Sequence, residues 1–77
     1  MPRYFFDIFN AEVVSDEEGI PLADDREAMR RAVIEARELA AESVRNGHLV
    51  GSHRVEVLDE QRERIGVVRF DEAVAIS

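Results

Sequence analysis

Carboxylates, two histidines and a proline beside the initiating methionine are the residues of this chain whose types and spacing bear on chemistry. Asp16-Glu17-Glu18, with Asp24 and Asp25 soon after, gathers oxygen donors of the kind that hold calcium or magnesium. The spacing lacks the alternating ligands of a calcium loop and its late bidentate glutamate, so no metal site is expected. A solvated turn followed by a helix cap is the simpler reading. His48 and His53 stand five positions apart, whereas two zinc ligands on one helix need four-residue spacing, and there is no cysteine to complete a site. Either histidine could act as a base beside Asp59 or Asp71, but no Ser or Cys nucleophile motif accompanies them, and both read as exposed loop residues. Pro2 would present a secondary amine if Met1 were removed, although an acidic neighbourhood makes that amine a poorer neutral base. These groups do not converge. No cofactor is implied, and a non-catalytic role is expected.

Phe5, Phe9 and the acidic loop Asp16, Glu17 and Glu18 are the candidate binding residues. Residues 3–9 alternate as a strand, with Tyr4, Phe6 and Ile8 on one face and Phe5, Asp7 and Phe9 on the other. Large apolar groups on both faces predict an interior strand. If a helix covers Tyr4, Phe6 and Ile8, then Phe5 and Phe9, with Ile65 and Val67, need a second cover. Val74 and Ile76 of the tail could supply it within one chain; a self-complementary homodimer is the favoured answer. Along the helix, Arg26, Arg30 and Arg37 share one flank, with Glu35, Glu38, Glu42 and Arg31 on the other. The spacing pairs Glu27 with Arg31 and Arg31 with Glu35, each worth about 0.2–0.5 kcal/mol. This flank could receive an acidic partner, this protein's own acidic loop or a phosphate; a solvated face is the simpler expectation.

The element that must position all of this is the stretch Asp24 to Gly47. At about 100° per residue, Ala28, Met29, Ala32, Val33, Ala36, Leu39, Ala40, Ser43 and Val44 gather on one side of a helix. Asp24 or Asp25 caps the start, Asp24 and Glu27 have capping-box spacing, and Gly47 stands where a left-handed cap closes the end. So much alanine predicts close approach to a flat surface such as a sheet. Before the helix, Asn10-Ala11 turns the first strand into a short partner over Glu12–Ser15, and Ile20-Pro21-Leu22 leads into the cap. After it, Arg54–Leu58 and Ile65–Phe70 alternate as strands around the polar turn 59–63, and Asp71–Ile76 is a helical turn or a final strand. The expected fold is α+β, in ββαββ order. A small antiparallel sheet carries one amphipathic helix on one face, and the order of the strands is open.

Seventy-seven residues form one domain (1–77) near the lower limit for a self-supporting core, with no disulfide to supplement it. No apolar run approaches the roughly 20 residues of a membrane span, and the opening has no signal-peptide layout, so a cytoplasmic chain is expected. The net charge is −7. Residues 1–25 carry seven acids against Arg3, residues 26–46 five arginines against four glutamates, and residues 47–77 four arginines against six acids. That balance disfavours nucleic acid and anionic membrane, where each phosphate contact needs a cation. A homo-oligomer or another protein partner is expected instead.

The opening Met1-Pro2-Arg3-Tyr4-Phe5-Phe6-Asp7-Ile8 resembles that of a family of small uncharacterised bacterial proteins, a domain of unknown function. The likeness continues through Asp16-Glu17-Glu18-Gly19, the Asp-capped helix with Ala28 and Ala32, and Phe70-Asp71-Glu72-Ala73-Val74. Asn10-Ala11 stands where such relatives usually carry an Asp-Gly turn. The family brings no established activity, cofactor or catalytic residue. From Phe5 to about Ala40 the chain is loosely similar to antitoxins of HicB type, which implies a partner-masking role. Small tautomerases are similar in placing a proline base at the start of a strand, although there a helix follows almost at once.

Overall fold

The computed structural model describes residues 1–75. The elements are β1 (Arg3–Phe9), β2 (Val13–Val14), β3 (Ile20–Pro21), α1 (Asp25–Arg45), β4 (Arg54–Leu58), β5 (Arg64–Arg69) and a short α2 (Phe70–Ala73). Strands run in the order β2-β1-β4-β5, all antiparallel, with β3 also pairing β1. The α+β architecture and its ββαββ order are as expected, and β1 is interior.

The helix begins where its cap permits. Asp24 accepts a hydrogen bond from the Glu27 N–H at 2.8 Å, which satisfies one of the four unpaired donors of the first turn. At the other end Gly47 takes φ +90°, its N–H donates to Val44 O, and the His48 N–H donates to Ser43 O. These two bonds form a Schellman motif. Ala28, Ala32, Ala36 and Ala40 are buried against Val55, Val57, Val68 and Phe70. Their small side chains let the helix backbone lie close to the sheet. Val44, expected on this stripe, is 59% exposed, in the last turn beyond the buried Ala40.

Register sorts the sheet's two faces. Ile8 pairs with Val55 and Phe6 with Val57, while Val55 pairs with Val68 and Val57 with Gly66. These positions face the helix. Phe5, Asp7 and Phe9 pair with Leu58, Glu56 and Arg54, which puts them on the far face with Val67 and Arg69. A register shift between Val57 and Leu58 moves Ile65 out of that set, and Ile65 packs against the helix-side core.

Three expectations change at the edges. The return strand shrinks from Glu12–Ser15 to Val13–Val14, because Asp16 leaves the ladder and its carboxylate replaces it. Ile20-Pro21, read as a lead-in to the helix, pairs as a strand with Arg3 and Tyr4. An edge tolerates Pro21 because no outer partner needs its missing N–H. The tail takes its helical alternative, with Phe70 as the first residue of α2, and the Arg37 guanidinium ties it down through the Ala73 carbonyl at 2.8 Å. Val74 packs on the helix side of the sheet, so it does not cover Phe5; Ile76 lies outside the described residues.

Candidate functional site

The far face of the sheet holds most of the candidate residues, together with several that pattern reading missed. Phe5 is 8% exposed, and the Arg62 guanidinium lies 3.9 Å from its ring centre. Phe9 is half-buried beneath Arg54, 4.3 Å from its ring centre. Such stacking is worth about 0.5–1 kcal/mol at exposed sites. The chain's own arginines therefore cover Phe5 and part of Phe9. Arg62 reaches this place from a left-handed backbone (φ 64) in the 59–63 turn, where Asp59 accepts from the Gln61 and Glu63 N–H groups.

Between the two stacks lies Glu56, 9% exposed and opposite Asp7 in the ladder. Arg54 Nε approaches its carboxylate at 2.8 Å and Arg64 at 3.7 Å, so this buried charge is paired. Arg69 is held by Asp71 in a two-pronged contact of 3.0 and 2.7 Å. The Arg69 hydrogen bond holds the Asp71 carboxyl below its usual range, and the same bond raises the Arg69 guanidinium. On this face Arg3, Arg54, Arg62, Arg64 and Arg69 stand among Asp7, Glu56 and Asp71, with Glu60 accepting the Arg3 N–H and Glu72 the Arg69 N–H. The arginines thus gather where charge is close to balanced, whereas the whole chain carries −7.

Asp16 has a structural duty. Its Oδ2 accepts from the Phe6 N–H at 3.1 Å, and its Oδ1 accepts from Glu18 and Gly19 at 3.2 and 3.0 Å. Asp7 returns the favour by accepting the Asp16 N–H at 2.9 Å. The carboxylate thus bridges the gap that β2 and β3 leave along β1. Gly19 allows it: φ is +70°, and a Cβ there would sit 2.7 Å from Tyr4 O and 2.9 Å from the Phe5 ring. Arg3 and Arg62 clamp the loop through the carbonyls of Glu18, Gly19 and Asp16. Phe5 and Asp16 are therefore brought together, as parts of one lock. Glu17 and Glu18 point out to solvent, and no group of three or more metal-ligating side chains forms among the described residues.

The remaining candidates separate. The Pro2 carbonyl accepts from the Leu22 N–H at 3.0 Å, which ties the start of the chain to the lead-in of the helix. His48 is exposed, but His53 is half-buried: its ring centre lies 5.8 Å from that of Phe70 in a T-shaped contact, and its buried Nδ1 has no hydrogen-bond partner among the described residues. Asp24 caps the helix and Asp25 accepts the Tyr4 hydroxyl at 2.7 Å, so both are used by the fold. On the helix, Glu27 meets Arg30 at 3.7 Å in place of Arg31, and Arg31 makes no ion pair with Glu35 among the described residues. Arg54, Arg62 and Glu56 carry no sequence signal of their own; only the pairing of β1 with β4 reveals them.

No described helix is long and apolar enough to cross a membrane. Comparison with curated proteins and with solved structures finds no match. A family model does match, over residues 3–71, which takes in the first strand, the Asp16 lock, the helix and the final hairpin. The chain belongs to the family described as a domain of unknown function, DUF6894.

Proposed function

We propose that the chain is a non-catalytic interaction module that engages an acidic partner protein through the open face of its sheet. The observation that carries this reading is the pair of guanidinium–phenylalanine stacks on a face that gathers arginines in an otherwise acidic molecule. A guanidinium has five N–H donors in a rigid fork that suits a carboxylate. The rings and Glu56 hold Arg54 and Arg62 in place beforehand, so docking orders few side chains and costs less. The overall −7 opposes a long polyanion such as nucleic acid, while a short acidic segment can meet mainly the stacked Arg54 and Arg62.

Calorimetric titration with a glutamate-rich peptide containing one aromatic residue, at low salt, tests the reading. Binding is expected, weakened about fivefold by Arg54→Gln or Arg62→Gln, in line with about 1 kcal/mol for an exposed charge pair. Binding that ignores both substitutions, or none at all, overturns it. The half-exposed Phe9, Leu58 and Val67 favour a second reading, a homodimer through the same face. Sedimentation at micromolar concentration separates the two. A monomer supports the acidic partner, and a dimer broken by Phe9→Glu supports self-association.

A further inference from the structure

A second surface lies on the opposite side of the sheet and does not depend on the first. Helix α1 packs chiefly over β4 and β5; towards β1 it covers Tyr4 and Phe6, and beyond them the β2 side of the same sheet face stays open. Phe6, Ile8, Val14 and Ile20 floor a cleft of ≈ 470 Å³ there, with Arg31 and Glu35 of the helix as its wall. A second cleft of ≈ 330 Å³ shares Val14 and continues past Leu39 and Glu42 to Asn46. Together they make one groove beside α1 from Arg31 to Asn46, about 22 Å long at 1.5 Å per residue. Val14 on its floor is 49% exposed.

The rim is acidic. Glu17, Glu18 and Glu35 border the first cleft and Glu12 and Glu42 the second, and none of them is in an ion pair among the described residues. Arg31 is the one arginine lining either cleft.

We infer that this groove docks a basic amphipathic helix of another protein. An open cleft in the sheet face beside a packed helix is the place a second helix takes in a two-layer domain. The groove's length matches about four helical turns. A stripe of apolar residues at positions i, i+3, i+4 and i+7 would cover Ile8, Val14 and Ile20, and lysines or arginines on its flanks would meet the unpaired carboxylates. A second copy of this chain fits badly, because the apolar stripe of its own helix, Ala28, Ala32, Ala36 and Ala40, is already buried against its own sheet. A small ligand would leave most of the groove empty.

The test uses the intact ¹⁵N-labelled chain and three synthetic peptides of about sixteen residues. The first carries leucine at helical spacing on a lysine background; the second has the same composition with the leucines scattered; the third replaces lysine by glutamate. The first should bind and gain helicity, with the largest amide shifts at Val14, Ile20, Arg31 and Glu35. Glu18→Lys with Glu35→Lys, two side chains that make no hydrogen bond in the fold, should weaken it by about tenfold while leaving the spectrum of the free protein essentially unchanged. Equal binding of the scattered peptide, shifts centred on Arg54 and Arg62, or no binding of the first peptide would each overturn the inference. Because the acidic peptide used for the sheet face reads Arg54 and Arg62, failure there and failure here are separable.

Discussion

At the scale of single residues, the most consequential contact ties the first strand to the helix cap. Tyr4 is 3% exposed, and its hydroxyl donates to Asp25 at 2.7 Å. The hydrogen bond to Asp25 is the main reason its phenol is pushed up to about 12 from 10.0, with burial and the charges of Asp25, Asp24 and Asp59 adding to it. The folded state therefore holds this proton more tightly than the unfolded chain does. The resulting stability is fully present below pH 10 and is lost as pH rises towards 12. Tyr4 is the only tyrosine, so its near-ultraviolet absorbance reports the group cleanly. Titration of the folded chain should give a midpoint near 12, against 10.0 in denaturant. A folded midpoint of 10 would mean that the contact with Asp25 is not made. Tyr4→Phe should abolish this part of the alkaline instability.

At the scale of elements, the weak place is the outer edge of β1. Two-residue strands β2 and β3 occupy its ends, and the Asp16 carboxylate holds the middle through the N–H groups of Phe6, Glu18 and Gly19. Asp16→Ala should cost about 1–3 kcal/mol, since buried or half-buried donors lose their acceptor. Amide exchange at Phe6 and Gly19 should accelerate more than exchange along β4. Asp16→Asn, which keeps one carbonyl acceptor, should recover part of the loss. Uniform acceleration across all strands would show that the edge does not open locally. The opposite edge, β5, is flanked by Arg64 and Arg69 and broken by a register shift, both devices that discourage pairing with another chain. Docking is thereby directed away from that edge and towards the two faces.

At the scale of the whole molecule, charge and core size act together. Seventeen acids face ten arginines, and four ion pairs form among the described residues. Most carboxylates are thus unpaired and repel one another at long range. Added salt screens that repulsion over distances of about 10 Å at 0.1 M, while a core of this size has little reserve with which to resist it. The thermal midpoint should rise by a few degrees, about 2–6 °C, between 20 and 300 mM sodium chloride. A midpoint that falls with salt would assign net stabilisation to the surface ion pairs. The same segregation of charge gives the molecule two unlike surfaces. The sheet face is rich in arginine and the helix-side groove is rich in glutamate.

The sequence by itself determined what depends on neighbours within a turn or two. The alanine stripe at i, i+4, the Asp24 cap, the Gly47 stop and the alternation of β1, β4 and β5 are local, and the α+β order follows from them. It also located the helical alternative for the tail. What covers Phe5 and Phe9 is a different kind of fact. Arg62 lies far along the chain from Phe5 and Arg54 from Phe9, and they meet because β1 and β4 pair in one register and not another. A shift of one residue would send those rings to the helix side. The duty of Asp16 is equally invisible in a run of acids, since it depends on a gap between two very short strands. Tertiary structure alone turned an acidic loop into a lock and two exposed rings into seats for arginine. It also left a cleft open along one flank of the sheet beside the helix, because a single narrow helix cannot fully cover four strands.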